Sequence, residues 1–238
     1  MTDTSLIDSF GTAESLAAQI AEAVSENKYF PTQVFSFQIP DAAATALNDR
    51  LLALIRSERD RDQMGIERSN FRALGGWHSH NNLHLDPTWS ALTQLVETVG
   101  DSISGANGYD PAYRLKIGTM WSIINAPGSF NNAHVHPGCL WSGVYYVQTP
   151  KGCGNIEFTD PRTAAIMAAP HYIRDKRKPQ SNWSKVVFEP VAGKLLVFPS
   201  WLYHAVTPNL STAKGEAAER IIVSFNLSQV RRPGGSVA

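Results

Sequence analysis

Cysteine is scarce in this sequence and net charge is absent. Only Cys139 and Cys153 occur among 238 residues, and their spacing matches no zinc-ligand pattern, which excludes a cysteine zinc site and fits free thiols in a reducing cytoplasm. Lys plus Arg and Asp plus Glu balance at 21 each, so no global field points to nucleic acid, a membrane surface or a polyanionic partner. Long apolar runs are missing too. No stretch spans a bilayer, and Met1 to Ser5 offers no basic segment leading into an apolar one, so neither a signal peptide nor a membrane span is expected. No repeat with a period of roughly 20 to 50 residues is present.

What is present is enough apolar residue for one ample core, in a chain of the size of many all-β domains. Residues 1–30 read as a helical extension: Gly11 to Glu14 offers a cap with an early acid, and Leu16, Ile20 and Val24 follow at helical spacing, a stripe expected to dock on the main body. Residues 31–238 read as a single globular domain. Gln33 to Ile39 alternates as a strand. Asp41 is expected to cap a second helix with the stripe Leu47, Leu51, Leu54 and Ile55. Asp86 and Pro87 form the strongest helix start in the chain, followed by Trp89, Leu92, Val96, Val99 and Ile103 on one face.

From Tyr113 the texture turns to β. Tyr113, Leu115, Ile117, Trp121 and Ile123 are expected on one strand face, and strands are expected over 113–125, 142–148, 155–159, 185–191, 194–199, 204–207 and 220–227. Helices ahead of many short strands predict a mainly β, α+β domain: an antiparallel jelly roll with helices covering one sheet.

Two histidine clusters compete as candidate sites. His134 and His136 share one face of an extended backbone, and His204, past the apolar run from Lys194, would complete a three-imidazole metal site. His78 and His80 have the same spacing, with His84 nearby, yet Gly75, Gly76, Asn81 and Asn82 around them read as loop, which suggests a surface or pocket-rim role. The segment 163–185 has no strand signal and carries the basic run Arg174 to Lys178. It is either a solvated surface or a lid favouring an acidic substrate.

Five segments together carry a family resemblance: His134 to Pro137, Ser142 to Tyr146, Phe158 to Arg162, Gly193 to His204, and Arg220 to Asn226. They resemble a bacterial and phage branch of the iron(II)- and 2-oxoglutarate-dependent oxygenases with a His-x-His and a distal His. The resemblance implies a double-stranded β-helix, cupin-like in shape, that binds iron(II) through His134, His136 and His204. Most of that superfamily has Asp in the place of His136, forming a two-histidine, one-carboxylate facial triad.

Arg220 opens the last strand, where alternation puts it with Ile222, Ser224 and Asn226 opposite the apolar Ile221, Val223, Phe225 and Leu227. A guanidinium there can grip the distal carboxylate of 2-oxoglutarate. Tyr146, Asn125 and Ser224 are further cosubstrate candidates, and Asp160, Arg162 and Trp121 are candidates for the substrate mouth. The implied activity is dioxygenation: hydroxylation of a small-molecule or peptide substrate by dioxygen, with release of succinate and CO2. A homodimer is compatible. Two other classes stay open. One is a three-histidine cupin-type metalloenzyme that uses no 2-oxoglutarate. The other is a noncatalytic jelly-roll protein with Trp121, Trp141 and Trp201 along a ligand groove.

Overall fold

The computed structural model describes residues 13–168, 170–174 and 178–232. The chain divides into two compact units, residues 1–32 and 33–238. In the first, helix α1 (Ala13–Ala23) forms where the apolar spacing predicts it, with Ile20 and Val24 exposed. The Gly11 and Thr12 portion of its expected cap lies outside the described residues.

The second unit is built on two antiparallel sheets. The larger runs in the order β1 (Phe35–Gln38), β8 (Lys194–Pro199), β5 (Trp141–Gln148), β10 (Arg220–Arg231), β3 (Tyr113–Asn125) and β2 (Trp77–His78). The smaller runs β4 (Asn131–His134), β9 (His204–Val206), β6 (Ile156–Thr159) and β7 (Lys185–Phe188). This is the expected jelly roll with helices on one sheet. Alternation in β10 decides the layering. Ile221, Val223, Phe225 and Leu227 are fully buried against helix α2 (Asp41–Arg61) through Leu51 and Ile55 and, past the short helix α3 (Met64–Arg68), against helix α4 (Ser90–Ala106) through Leu92, Val96 and Ile103. Each such side chain contributes about 1.5–3 kcal/mol when removed from water. A second apolar layer, including Val144, Ile156, Phe158, Leu196 and Phe198, lies between the two sheets and floors the site.

Several expectations need correction. Asp41 is the first helical residue, and Pro40 occupies the cap position. Asp86 does cap, accepting from the Thr88 amide at 2.8 Å, but the first turn is a 3-10 turn over Pro87–Trp89 before α4 begins. The face expected for β3 is broken in the middle. Thr119 pairs with Asn226 and Ile117 with Leu227, so Gly118 is an extra residue in β3. Such a bulge reverses the side-chain parity. Leu115, Ile117, Met120 and Ile124 therefore share the helix-side core, while Trp121 and Ile123 turn to the other face. Residues 131–134 and 77–78 are strands the sequence did not announce, and strand 185–191 ends at Phe188. Segment 163–185 contains a short helix, α5 (Thr163–Met167), and a 3-10 turn at Gln180–Asn182, while 175–177 of its basic run lie outside the described residues.

Gly143 shows how tight the main sheet packs. A Cβ there would meet the Phe225 ring at 2.2 Å and the Leu196 carbonyl oxygen at 2.7 Å. We expect Gly143→Ala to destabilise by about 1–3 kcal/mol. Gly105→Ala, in open space near the end of α4, should instead stabilise by about 0.5–1 kcal/mol. Chemical denaturation of the two variants checks the opposite signs.

Candidate active site

The side chains that define the site come from both sheets. His134 lies directly opposite His204 in the β4–β9 ladder, which sets the two imidazoles side by side. His136, just beyond β4, is anchored by its own amide donating to the Ser200 carbonyl at 2.9 Å. The ligand nitrogens of the three histidines lie within 4.8 Å of one another, with ring centroids 4.2 to 5.1 Å apart.

Hydrogen bonding fixes which nitrogen each ring offers. His134 Nδ1 faces the Asn132 carbonyl at 2.7 Å and His204 Nδ1 faces the Leu202 carbonyl at 3.0 Å. A carbonyl only accepts, so both Nδ1 atoms carry the proton and both Nε2 lone pairs are free. His136 Nδ1 donates instead to the side chain of Asn226, at 2.8 Å from Oδ1. That same oxygen accepts from Ser142 Oγ at 2.8 Å, and the amide Nδ2 donates to Thr119 Oγ1 at 3.0 Å. Thr119, Asn226 and Ser142 face one another across β3, β10 and β5, so ladder register alone assembles this polar rung. Three imidazoles presenting Nε2 toward one another are a donor set suited to a divalent transition metal.

Arg220 is buried, 1% exposed, beside this cluster. Its Nη1 donates to the carbonyls of Cys153 at 2.5 Å and Thr207 at 3.4 Å. Nε and Nη2, the edge that pairs side-on with a carboxylate, take no partner among the described residues. Burial pushes this guanidinium below its usual range, yet it remains a cation. Gly154 permits the close approach: it has φ of 87°, and a Cβ would meet the Thr207 oxygen and Arg220 Nη1 at 2.2 and 2.9 Å.

Arg220 faces Asn125 directly in the β10–β3 ladder, and Asn125 Nδ2 is likewise buried without a partner among the described residues. Tyr146 lines the same cleft, its phenol held protonated by burial, whereas Tyr145 turns to the helices and donates to Asn48 Oδ1 at 2.7 Å. The cleft has a volume of about 280 Å³.

The structure thus brings together His134, His136, His204, Arg220, Tyr146, Asn125, Ser224 and Trp121 around one cleft. Asp160 and Arg162 are not among its lining residues. They form a two-pronged ion pair, Nε to Oδ1 at 3.0 Å and Nη2 to Oδ2 at 2.9 Å, and Arg162 also donates to the Ser181 carbonyl. Sequence reasoning missed Asn226 as the support of His136. His78, for which the sequence suggests a surface or pocket-rim role, lines the cleft from β2 with its ring nearly parallel to Trp121, centroids 6.1 Å apart. The face alternation of β10 was the one signal that marked Asn226.

A family described as "Putative 2OG-Fe(II) oxygenase" matches residues 119–226, a stretch that encloses all three histidines and Arg220. Among curated proteins no sequence match is found. Solved structures share the fold. A Pseudomonas putida prolyl-4-hydroxylase is 16% identical with a TM-score of 0.51, covering 85% of this chain and 94% of its own. The epimerase SnoN in complex with Fe3+, alpha ketoglutarate and nogalamycin RO is 14% identical with a TM-score of 0.54, covering 94% and 87%. The alpha ketoglutarate dependent carbocyclase SnoK from nogalamycin biosynthesis is 11% identical with a TM-score of 0.54, covering 85% and 83%. The resemblance read from the sequence motifs is borne out.

Burial pushes the His204 imidazole down to about 4, and it also lowers His136. In the unfolded chain these groups protonate near pH ~6.5, so unfolding takes up protons below that pH. The stability they contribute to the metal-free protein is present above pH ~6.5 and is lost as the pH falls toward 4. We expect the melting temperature of metal-free protein to drop over that window, with about 1–3 kcal/mol of the loss absent in His204→Gln. Thermal denaturation of both proteins across the pH range checks it.

Proposed function

We propose that this chain is an iron(II)- and 2-oxoglutarate-dependent dioxygenase, on the strength of the family match over residues 119–226 and the fold it shares with such enzymes. We take residues 31–238 as the oxygenase domain and 1–30 as an extension. His134, His136 and His204 hold iron(II) through Nε2, and Arg220 anchors the far carboxylate of 2-oxoglutarate, flanked by Asn125, Tyr146 and Ser224. The observation that carries this reading is the guanidinium of Arg220: deep in the cleft, with its side-on edge free and no carboxylate among the lining residues to meet it. A cation desolvated in that way fits an anionic ligand.

When bound, iron(II) with 2-oxoglutarate supplies oxidative decarboxylation to succinate and CO2, coupled to hydroxylation of a substrate C–H bond. The protein's residues position and shield. Carbonyls and the Asn226 amide lock the imidazoles in one tautomer. Ile123, Val144, Phe198 and Ile222 line the cleft with apolar surface that limits water. Because His136 stands where the wider superfamily has Asp, the ligand set is neutral, and the cosubstrate dianion supplies the balancing charge. The substrate is a small molecule or a peptide. No helix among the described residues is long and apolar enough to cross a membrane, and the two free thiols support a reducing, cytoplasmic setting.

The deciding experiment is anaerobic iron(II) reconstitution followed by succinate release under dioxygen. Wild type should release succinate. Arg220→Ala should keep its iron and bind 2-oxoglutarate about 10- to 100-fold more weakly, the loss of charged hydrogen bonds worth about 1.5–3 kcal/mol. Tight iron binding by wild type without 2-oxoglutarate uptake would favour a cupin-type metalloenzyme instead, and no iron binding would favour a noncatalytic jelly-roll protein. Asn226→Ala, which frees the His136 ring, should weaken metal binding about 10- to 100-fold, measured by calorimetry with Co(II).

A further inference from the structure

Strand β2 is only two residues long, yet it is fastened more densely than its length requires. The Ser79 amide donates to the Ser122 carbonyl at 3.0 Å, and the Ser122 amide donates back to Ser79 Oγ at 2.9 Å. Arg68 donates from Nε to the His78 carbonyl at 3.1 Å and pairs through Nη2 with Asp62. Trp77, buried, donates from its indole nitrogen to the Asp62 carbonyl at 3.0 Å. These contacts hold the backbone on both sides of His78.

His78 itself is half-buried in the cleft wall. Its Nδ1 faces the Ser79 carbonyl at 2.7 Å, which puts the proton on Nδ1 and leaves Nε2 as an acceptor. Among the described residues no donor reaches Nε2. It is not part of the three-histidine cluster. The Trp121 ring neighbours both, nearly parallel to the His78 ring with an interplanar angle of 10°, and 5.8 Å by centroid from His136. A rigid acceptor and a flat aromatic surface therefore line the same cleft as the three histidines.

The charge of the cleft narrows what can use them. No Asp or Glu is among the lining residues, and in the proposed complex the two carboxylates of the cosubstrate are taken by the metal and Arg220. An ammonium group would find no counter-charge there, and a neutral donor needs none. We propose that His78 is a specificity-determining residue: its Nε2 accepts a hydrogen bond from a neutral amide N–H or hydroxyl of the prime substrate, whose adjoining flat part lies on Trp121. The proposal rests on the oxygenase reading above.

The test uses full-length protein loaded with Zn(II), a redox-inert substitute for iron, and 2-oxoglutarate. Probes are N-acetyl amino-acid amides and simple sugars, each paired with its fully methylated counterpart and, for the amides, an ammonium-bearing analogue. Binding is followed by calorimetry and by the 15N resonance of His78 Nε2. At least one neutral donor probe should bind, move that resonance, and bind tenfold or more tightly than its methylated and ammonium counterparts. His78→Phe should bind a donor probe and its methylated partner alike while keeping wild-type affinity for 2-oxoglutarate. His78→Gln, which keeps an acceptor, should retain the preference. Absence of any binding probe, binding that leaves the resonance unmoved, or discrimination that survives in His78→Phe overturns the proposal. A wild type that takes up neither metal nor 2-oxoglutarate overturns the oxygenase reading and this proposal with it.

Discussion

A strand of 12 residues paired along both edges cannot slip by one position without turning every side chain over. In β10 such a slip would push Arg220, Ser224 and Asn226 into the layer under the helices and expose Val223, Phe225 and Leu227 to the cleft. The apolar residues on one face thus hold the polar residues of the other face in place. Neighbouring strands inherit the same register: Asn125 from β3 and Tyr146 from β5 reach the cleft, and Ser142 from β5 reaches Asn226, because their pairing partners in β10 are fixed. Core packing and site geometry are one constraint seen from two sides of a sheet.

The three histidines are held by different means, and the difference has meaning. His134 and His204 each lean on a backbone carbonyl two residues earlier in the chain, a support that no substitution at those positions removes. His136 leans on a side chain, that of Asn226, which is itself pinned by Ser142 and Thr119. His136 is therefore the imidazole whose orientation and basicity depend on a residue distant in sequence. An amide oxygen in that position polarises the ring less than a carboxylate would, so the imidazole stays close to neutral.

Much of this was legible in the chain. Alternation along 220–227 marked both faces of β10, and the motif segments led to His134, His136, His204 and Arg220. Local chemistry hid the rest. Nothing in residues 113–125 other than a single glycine signals the bulge at Gly118, so parity carried through it misassigns Trp121 and Ile123. Asn131 to His134 lacks the β-branched residues that mark a strand, and its pairing with β9 is imposed by the fold. Trp77 and His78 are too few to show a period. What makes them a strand is their pairing with β3 and the Ser79 and Arg68 contacts around them. Asp160 and Arg162, prominent in the sequence, satisfy each other.

The free edge of Arg220 bears on more than affinity. Folding carries this guanidinium out of water with only part of its hydrogen-bonding capacity met inside the protein, and that desolvation weighs against the folded chain until a dianion completes its coordination. A dianion held there would act as a folding ligand: binding the folded state alone, it would raise that state's population by mass action. On the proposed reading, in which Arg220 takes the far carboxylate of 2-oxoglutarate, the same side chain ties the abundance of intact protein to the supply of that metabolite.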